Sequence, residues 1–110
     1  MDVARQFPAL ADATRRAVFE TLARQPQSVG ELASQLPVSR PAVSQHLKVL
    51  QEAGLVQFVR DGTRNVYEVD REGLRNMCVY LDALWSEALG ALKVAAEASY
   101  QNSKKPKEKK

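Results

Sequence analysis

Residues 39–50 read Ser-Arg-Pro-Ala-Val-Ser-Gln-His-Leu-Lys-Val-Leu, and the way this stretch divides into two faces decides the fold. At about 100° per residue, Ala42, Val43, His46, Leu47, Val49, Leu50 and Ala53 share one arc, while Arg40, Pro41, Ser44, Gln45, Lys48 and Glu52 lie opposite. The first arc is apolar and predicts docking on a core. The second carries small hydroxyls, an amide and cations, the groups that read base edges and bind phosphates. Ser39 is placed to cap this helix, and Pro41 fits its first turn, where there is no intrahelical N–H bond to lose.

The residues before it complete a motif. Val29, Leu32, Ala33 and Leu36 follow helical spacing, and Ser28 with Glu31 forms a capping box at the start of that short helix. Pro37 ends it, because proline cannot continue a helix and restrains the residue before it. Two short helices joined by a tight turn make a helix-turn-helix. Further upstream, Asp12 can cap a supporting helix to about Arg24, with Ala17, Val18, Thr21 and Leu22 inward and Arg15, Arg16 and Glu20 on a solvated face. Val3, Phe7 and Leu10 predict a short first helix that Pro8 interrupts; its apolar side suits either the core or a partner.

Downstream, Gly54 fits a left-handed helix stop. Leu55–Arg60 is rich in β-branched and aromatic residues and reads as a strand. Asp61-Gly62 signals a hairpin turn, and Arg64–Val69 reads as the return strand. A hairpin directly after a helix-turn-helix is a wing, with Arg60, Thr63 and Arg64 at or beside its tip. A hairpin that only seals the core is the other reading. Asp70 can cap a last helix over 71–99, about 40 Å at 1.5 Å per residue, too long for so small a domain to bury. Its stripe, Leu74, Met77, Leu81, Leu84, Ala88, Leu92 and Ala95 with Cys78, Trp85, Leu89 and Ala96 beside it, is nearly heptad-spaced and should pair with another helix. The economical partner is a second copy of the chain.

Composition bounds the function. With 110 residues and 45% hydrophobic content, the chain suits one globular domain. The net charge of +3 is misleading: five lysines against one glutamate in 104–110 give +4, leaving −1 for everything before them. Nucleic-acid affinity must therefore come from a local cluster or from the tail, and 39–64 supplies a modest cluster, with Arg40, Lys48, Arg60 and Arg64 against Glu52 and Asp61. Residues 1–99 are expected to form the winged, dimerising domain and 100–110 a disordered lysine-rich tail. No apolar run reaches membrane-spanning length and no export signal is visible, so the expected location is the cytoplasm.

The motifs Leu10-Ala11-Asp12-Ala13-Thr14-Arg15-Arg16, Val29-Gly30-Glu31-Leu32-Ala33, Ser39–Leu50, Glu52-Ala53-Gly54-Leu55-Val56 and Arg60-Asp61-Gly62-Thr63-Arg64 with Tyr67 resemble the arsenical-repressor (ArsR) family of winged helix-turn-helix regulators, across roughly residues 5–98. The resemblance implies a mainly α fold with a small β-hairpin, in the order α-α-α-α-β-β-α. It implies a homodimer through the first and last helices and a repressor on an inverted-repeat operator in double-stranded DNA. By its motifs, DNA contacts fall to Ser39, Arg40, Ser44, Gln45 and Lys48, and to the wing tip from Arg60 through Thr63 to Arg64. Dimer contacts fall to Val3 and Phe7 with Leu74, Met77, Leu81, Leu84, Trp85, Ala88 and Leu92.

Many relatives bind metals through a Cys-x-Cys pair in the helix that here reads Glu31-Leu32-Ala33-Ser34, or through Asp and His on the last helix. This last helix has Asp82, Glu87 and Glu97 but no histidine. With one His and one Cys in the chain, no metal site and no cofactor is expected, since zinc-like metals want imidazole or thiolate. His46 reads as a core-edge residue. Cys78 reads as a small packed hydrophobe or a thiol switch, and Trp85 as packing or as a stacking surface for a small effector of unspecified identity. No nucleophile, base and orienting group come together, so an enzyme is not expected. A winged-helix module that binds protein rather than DNA is the competing function, supported by the near-neutral folded part.

Overall fold

A computed structural model describes residues 3–108, with side chains for residues 3–100. The element order is α1 (Val3–Ala11), α2 (Ala13–Arg24), α3 (Val29–Gln35), α4 (Arg40–Glu52), β1 (Val56–Asp61), β2 (Arg64–Val69) and α5 (Arg71–Glu108). The chain divides into two compact units at Met77 and Cys78. The first holds the helix-turn-helix and the wing; the second is the remainder of α5.

The core of the first unit forms where the helices converge. Val18, Phe19 and Leu22 of α2, Leu32 of α3, and Val43, Leu47 and Leu50 of α4 are buried, with Leu55, Val56 and Met77 closing the cluster. Each leucine removed from water there contributes about 2 kcal/mol. The inward set of α2 includes Phe19, which the sequence reading omitted, and Ala17 is only half-buried.

Local chemistry sets each boundary. The Asp12 side chain accepts the Arg15 N–H at 2.8 Å to start α2, and the Ser39 hydroxyl accepts that of Ala42 at 3.3 Å to start α4. At the end of α4, Leu55 N–H donates to Leu50 O at 2.9 Å and Gly54 N–H to Gln51 O at 3.0 Å. Gly54 has φ 77°, the left-handed value that this paired arrangement needs. Asp70 Oδ1 accepts the N–H groups of Glu72 and Gly73, both at 3.1 Å, and so starts α5.

The wing is antiparallel, running from Val56 opposite Val69 to Asp61 opposite Arg64, with Gly62-Thr63 as a two-residue loop. Gly62 has φ 64°, as the first position of a II′ hairpin turn requires. Phe58 and Tyr67 face each other with ring centroids 5.4 Å apart, edge to face. Gln27, between α2 and α3, pairs with Tyr67 on the other side of β2: Tyr67 N–H donates to Gln27 O at 2.8 Å and Gln27 N–H to Tyr67 O at 3.0 Å.

Four sequence expectations change. Pro8 lies within α1 and does not interrupt it. The helix persists because Gln6 and Ala9 anchor it in the interior and because its last carbonyls are held from α2. Arg15 Nε donates to Ala9 O at 2.5 Å and Arg16 Nη1 to Leu10 O at 3.0 Å. Both arginines therefore cap the negative end of α1, and Arg15 is half-buried in doing so, while Arg16 and Glu20 remain exposed on the expected solvated face. The last helix runs to Glu108, past the boundary expected at Ser99. Lysine and glutamate are good helix formers, and an established helix gains a backbone bond with each added residue; Lys109 and Lys110 of the expected tail lie outside the described residues. Finally, Met77 is buried in its own chain's core and so offers no free surface to a second copy, while Leu74 packs partly buried against that core. Heptad spacing cannot separate the turns of a helix that cover their own domain from those beyond it.

The junction of α4 and α5 depends on Gly73. A Cβ there would lie 1.7 Å from the Gly54 carbonyl oxygen, and Gly73 O accepts a 2.9 Å bond from Nε2 of the fully buried Gln6. Glycine to alanine within a helix ordinarily stabilises by about 1 kcal/mol. Gly73→Ala should reverse that sign and destabilise by about 3 kcal/mol through overpacking, read by urea unfolding. Unchanged stability would show that the start of α5 can move off the Gly54 loop at no cost.

Candidate nucleic-acid interface

The outer face of α4 is a continuous polar surface on the first unit. Arg40, Pro41, Ser44, Gln45 and Lys48 are all exposed, as is the capping residue Ser39. They follow one another in steps of one and three residues and so form one stripe along the helix. On the opposite face Val43, Leu47 and Leu50 are buried, and His46 is half-buried at the boundary. The stripe therefore cannot roll inward without pulling three side chains into water.

Arg40 is positioned by a gap on α3. Its guanidinium lies over Gly30, where a Cβ would come within 3.1 Å of Nη2. Arg60, Thr63 and Arg64 of the wing are also exposed. The structure thus places every DNA-contact residue expected from the sequence on open surface.

Arg64 is not a free cation, however. Its Nη2 lies 2.5 Å from Glu31 Oε1. The same oxygen accepts the Ser28 backbone N–H at 2.8 Å, while Glu31 N–H donates to Ser28 Oγ at 3.1 Å. The capping box was legible in the sequence; its second task was not, because nothing local relates residue 31 to a wing residue 33 positions later. The Ser28 backbone hydrogen bond, followed by the Arg64 charge, holds the Glu31 carboxyl below its ordinary range despite partial desolvation. The Asp12 carboxyl is also lowered, first by its Arg15 backbone hydrogen bond and then by the Arg15 and His46 charges.

Gln27 is the second residue that the sequence reading missed. Besides bridging β2, it donates from Nε2 to Thr21 O at 3.2 Å and accepts the Gln35 side chain on Oε1. It ties α2, α3 and the wing into one frame. Among the described residues, no group of three or more His, Cys, Asp and Glu side chains is arranged to hold a metal ion. Cys78 is exposed, Trp85 is 65% exposed, and no described helix is long and apolar enough to cross a membrane.

Comparison with known proteins agrees with this geometry. Residues 10–57 match the family model described as a helix-turn-helix domain. A Mycobacterium tuberculosis protein named HTH-type transcriptional regulator Rv2034 is 58% identical over 85 residues, which span 77% of this chain and 79% of that protein. Among solved structures, an ArsR-like transcriptional regulator from Rhodococcus sp. RHA1 aligns with TM-score 0.71 and 38% identity, covering 83% of this chain and 89% of the other. The chain belongs to the ArsR family. It is a winged helix-turn-helix, DNA-binding transcriptional regulator, and the protein-binding alternative is not favoured. A further neighbour, from Mycobacterium bovis, is described as the homodimeric winged helix-turn-helix DNA-binding domain of a possible ArsR-family transcriptional regulator; it aligns with TM-score 0.62 and 29% identity over 79% of this chain and 81% of its own.

The two lowered carboxyls give this ArsR protein a signed pH dependence. Protons bind more readily to Asp12 and Glu31 in the unfolded chain. Their stabilisation is therefore complete above the ordinary carboxylate range and is lost as pH falls through the lowered values. Thermal melts across the acid range should show a shallower acid decline for Asp12→Asn and Glu31→Gln than for the parent. Parallel acid limbs would mean that neither carboxyl differs between the folded and unfolded chains.

Proposed function

We propose that this regulator acts as a homodimeric repressor that lays two copies of α4 into successive major grooves of an inverted-repeat operator, about 34 Å apart. The observation that carries the reading is the division of α4, with Val43, Leu47 and Leu50 locked inside and Ser44, Gln45 and Lys48 open along one stripe. Ser44 and Gln45 read base edges. Ser39, Arg40 and Lys48 hold phosphates on either side, and Arg60, Thr63 and Arg64 engage the flanking backbone through the wing. The chain works where the chromosome is, in the cytoplasm, without a bound metal. Lysines at the end of α5 add sequence-independent attraction to phosphate.

The second copy docks on α5. Leu81, Leu84, Trp85, Leu89 and Leu92 are each at least 44% exposed, an apolar row of the kind that helix pairing covers. Ala88 lies within that row, and Val3 and Phe7 of α1 add to the contact. The homodimeric M. bovis neighbour supports this assembly.

Gln45→Ala should relax discrimination at one or two base pairs, at about 1–3 kcal/mol per lost contact. Lys48→Ala should weaken operator and random DNA alike and reduce the slope of log affinity against log salt by about 0.9. Binding titrations at several salt concentrations read both, and equal losses on both DNAs for Gln45→Ala would remove α4 from base reading.

Leu84→Glu should convert the dimer to monomer in sedimentation and lower operator affinity far more than random-DNA affinity. A parent chain that sediments as a monomer at binding concentrations would overturn the dimeric reading.

A further inference from the structure

We propose that Glu31 is an internal rival of DNA phosphate for Arg64, so that the wing arginine is delivered to DNA only when phosphate displaces a carboxylate of its own chain. The inference rests on the assignment of the wing to the DNA backbone and adds a residue that lowers the wing's grip. Three observations carry it. Arg64 Nη2 and Glu31 Oε1 are 2.5 Å apart, with both side chains about half exposed, at 52% and 47%. Glu31 is not free to follow Arg64 outward, because the reciprocal Ser28 bonds fix it to the first turn of α3. And Arg64 is the first residue of β2, directly beside the Gly62-Thr63 loop, so the guanidinium that meets Glu31 is carried by the tip of the wing.

A guanidinium makes its strongest bonds with a carboxylate or a phosphate in the same forked geometry. Arg64 engaged with Glu31 therefore presents less charge to DNA, and its transfer to phosphate leaves the Glu31 charge behind at the interface. Both effects weaken binding to any duplex, operator or random, because phosphate carries no sequence information. Glu31 acts as a positioning residue that sets how many phosphates the wing neutralises.

The test is a cycle of Glu31→Gln, Arg64→Ala and the double variant in the full-length chain, titrated against a random-sequence duplex and against an operator recovered by selection. Glutamine retains an oxygen to accept the Ser28 N–H, so the capping box survives the substitution. Glu31→Gln should tighten binding to both DNAs about three- to tenfold near 0.1 M salt and steepen the salt slope by about 0.9. The gain should vanish in the Arg64→Ala background. Glu31→Asp, which keeps the charge on α3 but withdraws it from Arg64 by a methylene, should shift affinity the same way by a smaller amount and serves if the glutamine variant fails to fold.

A loss of affinity in Glu31→Gln would show that the pair preorganises Arg64 for DNA and would overturn the proposal. A gain that persists without Arg64 would overturn it too, leaving simple repulsion between Glu31 and phosphate. If Arg64→Ala weakens binding while neither Glu31 variant strengthens it, the rivalry is wrong and the wing assignment stands. If Arg64→Ala changes neither DNA affinity nor salt slope, the wing assignment itself falls, and this inference with it.

Discussion

Everything that the outer face of α4 presents is held there by the burial of its inner face. Val43 and Leu50 have no exposed surface and Leu47 has 1%. Rotating the helix by a third of a turn would expose leucine and valine to water, and truncating one such leucine typically costs about 3 kcal/mol. The polar stripe is thus oriented by apolar packing on its far side, and no bond made by Ser44, Gln45 or Lys48 is needed to aim it. That division of labour suits a surface whose hydrogen-bonding groups are kept for another molecule.

The ends of α4 bind that orientation to the rest of the chain. Its N-terminus begins at Ser39 directly after the Pro37 break, beside α3, where Arg40 covers Gly30. Its C-terminus passes through Gly54 to Leu55, and Leu55 O accepts the Asp70 N–H at 2.8 Å. Gly73 then packs its bare α-carbon on the Gly54 carbonyl while Gln6 of α1 holds Gly73 O. One junction therefore joins the end of the DNA-reading helix to α1 and to the start of α5. A shift of either element has a direct mechanical route to the angle of α4.

Much of this was legible in the sequence because its causes are local. Caps at Asp12, Ser28, Ser39 and Asp70, the Gly54 stop, the hairpin turn (expected at Asp61-Gly62 and found one residue later, at Gly62-Thr63) and the two-faced pattern of α4 all depend on residues within a few positions of one another. The exposed site residues followed from the same pattern. What escaped was non-local. The Arg64–Glu31 pair, the Gln27–Tyr67 bridge and the Arg15 and Arg16 bonds to the end of α1 join residues whose side chains carry no mark of their partners. Pro8 misled because the rule against proline in helices weighs the lost hydrogen bond but not the tertiary contacts that hold a short helix around it. Met77 misled because periodicity records which face of a helix is apolar, not what covers it.

The Gln27 bridge has a consequence for solubility. A two-stranded ribbon leaves both of its outer edges with open peptide groups, and open edges recruit strands from other molecules into aggregates. Gln27 occupies the outer edge of β2 at Tyr67, the residue whose ring also packs against Phe58. On the opposite edge, β1 ends in Arg60 and Asp61, charges that discourage stacking between copies. A hairpin that must protrude far enough to meet another molecule is in this way kept from meeting its own kind edge to edge.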